Sequence, residues 1–297
     1  MARSPAYLYE KLTWMEADAA ANAGKVAVIP IGAIEQHGPH LPLDVDCLLP
    51  RGVALRAAEA IPDELVLLPT IVHGYTAHVM DFPGTINIDH ERFIGMVIDV
   101  GRSLAYHGFK KIIFLNGHGS NMPNLDIACR RVNLETDAEC LVAAWWSLLT
   151  VDPAFMPAWR QSAFPGGCGH ACELETSAYL HLSGDDVRTE LIADEAIAYN
   201  AVGSDFQWCD LFGSGPATVT SWTSTYTVSG TCGEAEKATA EKGKAFVDEA
   251  ARQLARLVVE FRKRAKPPRR DRHAVAPTMP MPWRQGDMRV GSVMKAH

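Results

Sequence analysis

Short, continuously apolar segments alternate along this chain with longer segments in which apolar residues recur at helical spacing. The apolar segments are typical of strands that are buried on both faces, and they cover 26–31, 65–69, 112–115 and 140–146. The periodic segments predict helices over about 13–24, 46–60, 89–106, 121–134, 175–182 and 233–266. This alternation predicts an α/β fold in which helices cover both faces of a mostly parallel sheet.

Local signals mark the starts of two of these helices and set one region apart. Thr13 and Glu16 have the spacing of a capping box, and Asp89 is placed to cap the third helix. The stretch 200–232 is rich in Gly, Ser and Thr, so it predicts loop and short strand rather than another helix. In an oligomer, this stretch could reach the site of a neighbouring subunit.

The chain is long and apolar enough to form one sizeable domain. It has 297 residues, of which 47% are hydrophobic, and we expect a single domain over 1–266 and a Pro-rich extension over 267–297. The net charge of -7 argues against nucleic acid as the main partner. We expect a cytoplasmic protein without membrane contact, because residues 1–25 lack the pattern of a signal peptide and no apolar run could span a bilayer.

The seven cysteines are scattered along the chain and form no CxxC pair. This odd, dispersed set fits reduced thiols better than a disulfide framework. Cys168 and Cys172 are the one close pair. We expect them to be packing residues, because a thiolate zinc site would need more cysteines.

Residues 35–46 contain two histidines and three carboxylates within twelve positions, directly after the first predicted strand. Glu35 and His37 are two residues apart, so their side chains point to the same side of an extended segment. Asp46 stands at the start of the next helix, and His118 follows the third strand through a Gly-rich turn. Open parallel sheets place their sites beyond the carboxyl ends of the strands, where these four residues could form one cluster.

The chemistry of this set points to a metal. Imidazole nitrogen and carboxylate oxygen suit zinc, manganese or iron, and sets without thiolate are commoner in open catalytic sites than in closed structural ones. The set therefore predicts a metal-dependent enzyme. The alternative is that a capping Asp, a turn His and a surface Glu came together by chance. We expect His40 to support the ligands rather than to join them.

A third segment, 166–177, adds one histidine and two glutamates just before an apolar helix. Neighbouring glycines leave His170 conformationally free, and a histidine near a metal site is a natural proton donor. Glu175, with Thr176 and Ser177, could instead be a capping arrangement, which is the ordinary use of such residues at a helix start.

With these segments in view, the sequence resembles the creatininase (creatinine amidohydrolase) family. The resemblance rests on four motifs in the family's order and approximate spacing, namely Glu35 to Pro42 with Asp46, Phe82 to Thr85, Asn116 to Asn121, and Gly169 to Ala171 with Glu175 to Ser177. It implies a three-layer αβα sandwich with the catalytic domain in 1–266. It also implies two divalent ions, zinc or manganese with iron as an alternative, and a homo-oligomer, with a hexamer favoured.

Carried over position by position, the family pattern assigns the ligands. It makes Glu35 and His118 ligands of one ion, His37 a ligand of the other, and Asp46 the bridge between the two. Creatininase has a further glutamate ligand two positions after the turn histidine, where this chain has Ser120. The second ion is therefore one carboxylate short.

We expect Glu173 to replace that missing carboxylate, as a ligand of the second ion and as a member of the catalytic set. If Glu173 is instead a solvent-exposed loop carboxylate, a single-metal site is the simpler account. In the two-metal arrangement, an activated bridging water attacks an amide carbonyl. His170 matches the family's proton-handling histidine and is expected to protonate the leaving nitrogen.

Substrate contacts are expected from the loop before the second motif and from the turn of the third, at Thr76, His78, Gly119 and Ser120. Creatininase has aromatic residues at the positions of Gly119 and Gly166, so creatinine is not the expected substrate. An aromatic wall could come from one of four tryptophans, each of which could equally be a core residue: Trp145, Trp146, Trp208 and Trp222.

Three functions are compatible with the sequence. The first is hydrolysis of a cyclic or otherwise non-peptide amide in a small molecule. The second is a related hydrolysis, by a deformylase, a peptidase acting on a modified peptide, or an enzyme that opens the ring of a keto-inositol or ketosugar. The third is a non-catalytic, metal-stabilised oligomeric binding protein. Turnover by the metal-loaded protein would separate the first two from the third.

Overall fold

The computed structural model describes residues 4–195, 203–268, 270–275 and 278. Its central sheet contains strands β1 (Val26–Ile31), β2 (Leu65–Leu67), β3 (Lys111–Asn116) and β4 (Glu139–Ala144). All neighbouring pairs are parallel, and the order across the sheet is β2-β1-β3-β4. Every residue of β1 and β3 is buried. The predicted parallel sheet is confirmed.

Helices cover both faces of this sheet, so the predicted αβα sandwich is confirmed. In chain order they are α1 (Trp14–Asn22), α2 (Val45–Ala60), α3 (His90–Tyr106), α4 (Met122–Glu135), the short α5 (Phe155–Trp159), α6 (Glu173–Ser183) and α7 (Ala240–Lys263). One core lies between the sheet and α2, α6 and α7, and the other between the sheet and α1, α3 and α4. Val28 belongs to the first core and Ile29 to the second, because successive strand residues point to opposite faces.

Two helix starts differ from the predictions by two residues or more. The helix predicted from 175 begins two residues earlier, at Glu173. The last helix begins at Ala240 rather than near 233. The Thr239 side chain caps its start by accepting a hydrogen bond from the Lys242 backbone N–H. Residues 232–233 instead form a short strand that pairs antiparallel with strand Cys168–His170.

The remaining short strands, Cys209–Asp210 and Gly213–Ser214, pair with each other within the region that the composition predicts as loop and short strand. The capping box at Thr13 is present as predicted. Much of the Pro-rich extension over 267–297 lies outside the described residues, and its described part has no helix or strand. Within the described ranges, no helix is long and apolar enough to cross a membrane.

None of the seven cysteines, all of which lie within the described residues, takes part in a disulfide bond. Cys168 and Cys172 are both buried, and their sulfur atoms lie 3.1 Å apart. They pack in the core that contains α6, close to the start of that helix.

Candidate metal centre

The carboxyl ends of β1 and β3 lie level with each other, since Ile31 pairs with Asn116. The first turn of α2 packs directly over these two ends. A Cβ atom on Gly32 would lie 2.5 Å from the Asp46 carbonyl oxygen, and one on Gly117 would lie 2.0 Å from it. Only glycine at both positions allows this close approach, which brings Asp46 between the residues that follow the two strands.

Three overlapping groups of side chains at this edge could each hold a metal ion. They are Glu35–Asp46–His118, His37–Asp46–Glu175 and Glu35–His37–His170, and the ligand atoms within each group lie within 4.8 Å of one another. The first two groups share Asp46. Its Oδ1 is 3.3 Å from His37 Nε2 and its Oδ2 is 3.1 Å from His118 Nδ1, so the carboxylate faces both histidines.

Each histidine of the cluster is oriented by a backbone carbonyl. His37 Nδ1 lies 3.2 Å from the Glu35 carbonyl oxygen, His118 Nε2 lies 3.1 Å from that of Tyr75, and His170 Nε2 lies 2.7 Å from that of Gln36. A carbonyl oxygen can only accept, so His37 Nδ1 and His118 Nε2 carry the hydrogen. His170 Nε2 also lies 3.1 Å from the Gln36 side-chain nitrogen, and it carries the hydrogen when it donates to the carbonyl. The other ring nitrogens then have their lone pairs available to the cluster, as in metal-binding histidines.

The inward-facing atoms fit a divalent cation. His37 Nε2 and Asp46 Oδ2 are buried and have no hydrogen-bond partner among the described residues. Two ligands of one zinc ion in tetrahedral geometry are separated by roughly 3.3–3.5 Å, given bonds of about 2.0–2.1 Å. The distances from Asp46 to the two histidines are close to this value. The donor set is nitrogen and oxygen without thiolate, which suits zinc, manganese or iron.

The charges of the cluster favour the same interpretation. Burial raises the pKa of Glu35, and that of Glu175 to about 7. Burial alone would lower the pKa of both histidines, but Asp46 and Glu35 outweigh it and raise that of His37 to about 10 and that of His118 to about 9. The three buried carboxylates therefore draw positive charge into this edge of the sheet.

The cluster lies on the floor of a cavity of about 780 Å³. Both aromatic and hydroxyl-bearing side chains line its walls, including Tyr75, Trp146, Trp208, Thr223 and Tyr226. The region around 208–226 thus covers the chain's own candidate site. Among the four tryptophans considered from the sequence, Trp146 and Trp208 line this cavity, whereas Trp145 is fully buried in the core and Trp222 is half exposed outside the lining.

The chain matches the creatininase (creatinine amidohydrolase) family over residues 10–258. It belongs to that family. Creatinine amidohydrolase of Pseudomonas putida is 31% identical over 263 residues, which are 84% of this chain and 95% of that protein. The mycofactocin precursor peptide peptidase of Mycobacterium tuberculosis is 37% identical over 172 residues, which are 55% of this chain and 61% of that protein.

Solved creatininase structures share the fold. A manganese form has a TM-score of 0.70 and 30% identity, and the match covers 86% of this chain and 98% of that one. A Zn–Zn form of a creatininase mutant gives the same TM-score, identity and coverage. Creatininases are thus known in both manganese and zinc forms.

The position of Glu173 differs from the expectation that it binds the second ion of a creatininase-type centre. Its two carboxylate oxygens accept hydrogen bonds from the backbone N–H groups of Gln161 and Ser162, at 2.7–3.1 Å, and form an ion pair with Lys242. The side chain is nevertheless 1% exposed, so it is no surface carboxylate either. Glu173 is a buried anchor for the loop before α6 and is absent from the candidate ligand groups.

Glu175, rather than Glu173, lies beside His37 and Asp46. It is 4% exposed and joins His37 and Asp46 in the second ligand group. Its Oε2 also accepts a hydrogen bond of 2.6 Å from the Ala171 backbone N–H, so part of the capping alternative holds too. Because α6 begins at Glu173, residues two apart are turned by about 200° around the helix axis, and only one of the two glutamates can face the cluster.

The expected substrate contacts divide into two kinds. His78, Gly119 and Ser120 line the cavity, and the Ser120 hydroxyl lies 3.3 Å from His78 Nε2. Thr76 is fully buried instead, and its hydroxyl donates a hydrogen bond to Glu35. The Thr76 hydroxyl therefore orients the Glu35 carboxylate, and Thr76 lies outside the described lining of the cavity, unlike the other three expected contacts.

Several residues near the ligands support them. His40 Nε2 lies 2.9 Å from the Thr176 hydroxyl, which agrees with a supporting position outside the ligand groups. Gln36 Oε1 accepts a hydrogen bond from the Gly38 backbone N–H, and Gln36 Nε2 donates to the Gly230 carbonyl. These bonds fix the turn between Glu35 and the start of α2.

Proposed function

We propose that this creatininase-family amidohydrolase is metal-dependent and holds two divalent ions, zinc or manganese. Glu35, His118 and Asp46 would hold one ion, and His37, Glu175 and Asp46 the other. The observation that carries this proposal is the pair of ligand groups that share Asp46, with each histidine turned inward by a backbone carbonyl. The proposed reaction is hydrolysis of a cyclic or otherwise non-peptide amide.

When bound, such ions supply activation of a water molecule and polarisation of a carbonyl oxygen. The residues of this chain then position the reactants and move protons. The cavity above the ligands admits the substrate, and Asp46 and Glu35 fix the floor on which its carbonyl would lie.

His170 is the proposed proton carrier. With the hydrogen on Nε2, which lies 2.7 Å from the Gln36 carbonyl oxygen, Nδ1 carries the lone pair and lies 3.5 Å from Glu35 Oε1. Burial lowers the pKa of His170 well below its ordinary value. A neutral ring can first accept a proton from the attacking water at Nδ1. The same atom can then give that proton to the departing amide nitrogen, which leaves poorly unless it is protonated.

A second candidate function is cleavage of an amide bond in a modified peptide. It is favoured by the 37% identity to the mycofactocin precursor peptide peptidase, although the match spans only 61% of that protein. The same ligand cluster and His170 would serve this reaction. The family resemblance also supports a homo-oligomer, for which mass measurement in solution is the test.

The test is metal loading followed by turnover. Protein stripped with a chelator and reloaded with Zn²⁺ or Mn²⁺ should bind two ions per chain and hydrolyse members of a panel of hydantoins, lactams, formamides and modified peptides. The Asp46→Asn variant should lose both ions and all turnover, because Asp46 belongs to both ligand groups. Absence of turnover on every substrate, with two ions bound, would contradict an enzymatic function and favour a binding protein.

A further inference from the structure

Three histidines line the cavity above the ligand cluster, namely His78, His118 and His170. The other charged residues of the described lining are all acidic, namely Glu35, Asp46, Glu175 and Asp210. Three of them are the proposed ligands. Neither a lysine nor an arginine is part of the described lining.

The arginine nearest to this lining is already engaged. Arg160 pairs with both oxygens of Asp210, at 2.7 and 2.8 Å, and its Nε donates to the Ser162 carbonyl at 3.1 Å. The Gly166 backbone N–H donates a further bond of 2.9 Å to Asp210. This bidentate pair neutralises Asp210, the one acidic residue of the described lining that is not a proposed ligand. The part of the cavity away from the ligand cluster, which we call the upper cavity and which is lined by residues 208–223, therefore has no unpaired charge among the described residues.

The walls of the upper cavity combine aromatic rings with hydroxyl groups. Trp208 is held by a hydrogen bond of 2.8 Å from the Gly215 backbone N–H to its carbonyl, and by an edge contact with Phe164 at 5.5 Å between ring centroids. Thr218, Thr220 and Thr223 also line the cavity. Such a surface can stack on a planar group and hydrogen-bond with neutral polar atoms.

The volume of about 780 Å³ lies within the range of roughly 300–1,000 Å³ that is typical of drug-sized ligands. Gly119 contributes to the space, because a Cβ atom there would have no neighbour within 4 Å. A substrate that fills this cavity therefore extends from the ligand cluster to the lining residues between Trp208 and Thr223.

We propose that the substrate is an uncharged ring amide with a planar substituent that lies against Trp208 and the neighbouring threonines, and that anionic substituents are rejected there. This inference rests on the proposed function. An anion on that substituent would give up hydration against Trp208 without finding a lysine or arginine partner in the described lining, so that loss would not be compensated. A phosphate or carboxylate group of the substrate that lay beside the ligand cluster would instead compete with the reacting carbonyl for the same place.

Binding of two matched probes tests this proposal without requiring turnover. The probes are 5-benzylhydantoin and 5-(4-sulfobenzyl)hydantoin, since a sulfonate is charged but is a poor ligand of zinc. Titration calorimetry on the zinc-loaded protein should give a Kd at least about tenfold higher for the sulfonate. Equal or tighter binding of the sulfonate would overturn the proposal, and so would failure of the uncharged probe to bind.

Two lysine variants sharpen the comparison. Val219→Lys places a cation on the rim of the cavity, at a lining residue that is 42% exposed, and should tighten binding of the sulfonate by about tenfold relative to the uncharged probe. Val228→Lys, at a site that is 92% exposed and outside the lining, is the matched control and should leave both Kd values unchanged. Equal gains in the two variants would mean that general surface charge governs binding and would overturn the proposal. If the uncharged probe binds with the stated preference but no substrate is hydrolysed, the proposed function fails while this inference stands.

Discussion

Two glutamates in the first turn of α6 should respond in opposite ways to the same substitution. Glu175→Gln should remove the second metal ion while changing the stability of the chain little. Glu173→Gln should leave two ions in place and destabilise the fold. The reason is that Glu175 faces His37 and Asp46, whereas Glu173 pairs with Lys242 on another side of the helix.

The expected magnitudes follow from these contacts. Loss of a residue that merely supports a metal ligand typically costs about 10–100-fold in affinity, so loss of the proposed ligand Glu175 should weaken the second ion by more than about 100-fold. Breaking a buried ion pair costs about 3–5 kcal/mol. Lys242 retains the Gln161 side-chain oxygen and the Lys237 carbonyl, at 2.8 and 2.6 Å, so we expect about 3 kcal/mol for Glu173→Gln.

The assays are metal counting and denaturation. Each variant is stripped, reloaded with zinc and analysed by elemental mass spectrometry, and its unfolding is followed in urea by circular dichroism. Glu175→Gln should bind about one ion per chain, and Glu173→Gln about two with a lower midpoint. The reasoning would be refuted if Glu173→Gln lost an ion and Glu175→Gln kept both, because Glu173 would then be the ligand.

Three further outcomes follow from the structure. His170→Gln should lower kcat by about 10²–10⁴-fold with both ions retained, and metal loss in that variant would assign the residue to the ligands. Gly117→Ala should destabilise the chain in urea by about 1–3 kcal/mol, because its Cβ would meet the Asp46 carbonyl, whereas Gly95→Ala in helix α3 has open space and should stabilise slightly. Burial alone would raise the pKa of Glu195, but hydrogen bonds from residues 227–229 outweigh it and lower this pKa to about 2. The ionised Glu195 therefore stabilises the folded chain above the unfolded pKa of 4.5, and this stabilisation is lost as the pH falls towards 2. Glu195→Gln should therefore flatten the fall of the unfolding free energy between about pH 5 and 2 relative to the unchanged chain, and identical pH profiles would contradict this.

The parts of the fold that depend on local hydrophobic pattern were accessible from the sequence. β1 and β3 are buried on both faces, so all of β1 and the four central residues of β3 are apolar, and the carboxyl ends of the two strands determine where a site can form. Glu35, His37 and Asp46 were therefore predicted to lie close to His118, although they follow a different strand. In the structure the same four residues lie together.

Other features depend on contacts that no local pattern records. Whether Glu173 or Glu175 faces the ligand cluster depends on how α6 is rotated about its own axis. Residues two apart in a helix point to nearly opposite sides, at about 200°. Helix ends are uncertain by one or two residues even in known structures, so the sequence alone could not decide it. One signal was nevertheless available, because glutamates two apart in a helix cannot share a face.

The replacement of a turn glutamate by Ser120 has consequences beyond the ligand count. With Glu175 as the second ligand, the second ion and His170 are both set by the segment that enters α6, since Ala171 N–H binds Glu175 and His170 directly precedes Ala171. On this assignment the turn after β3 supplies no second metal ligand beyond His118, and Gly119 and Ser120 line the cavity. On the proposed ligand assignment, the change of metal ligand and the space beside Gly119 would therefore be coupled in this chain. Substitution of Gly119 by a large aromatic residue, as the family pattern has in creatininase, should fill the cavity and exclude extended substrates without disturbing either ion.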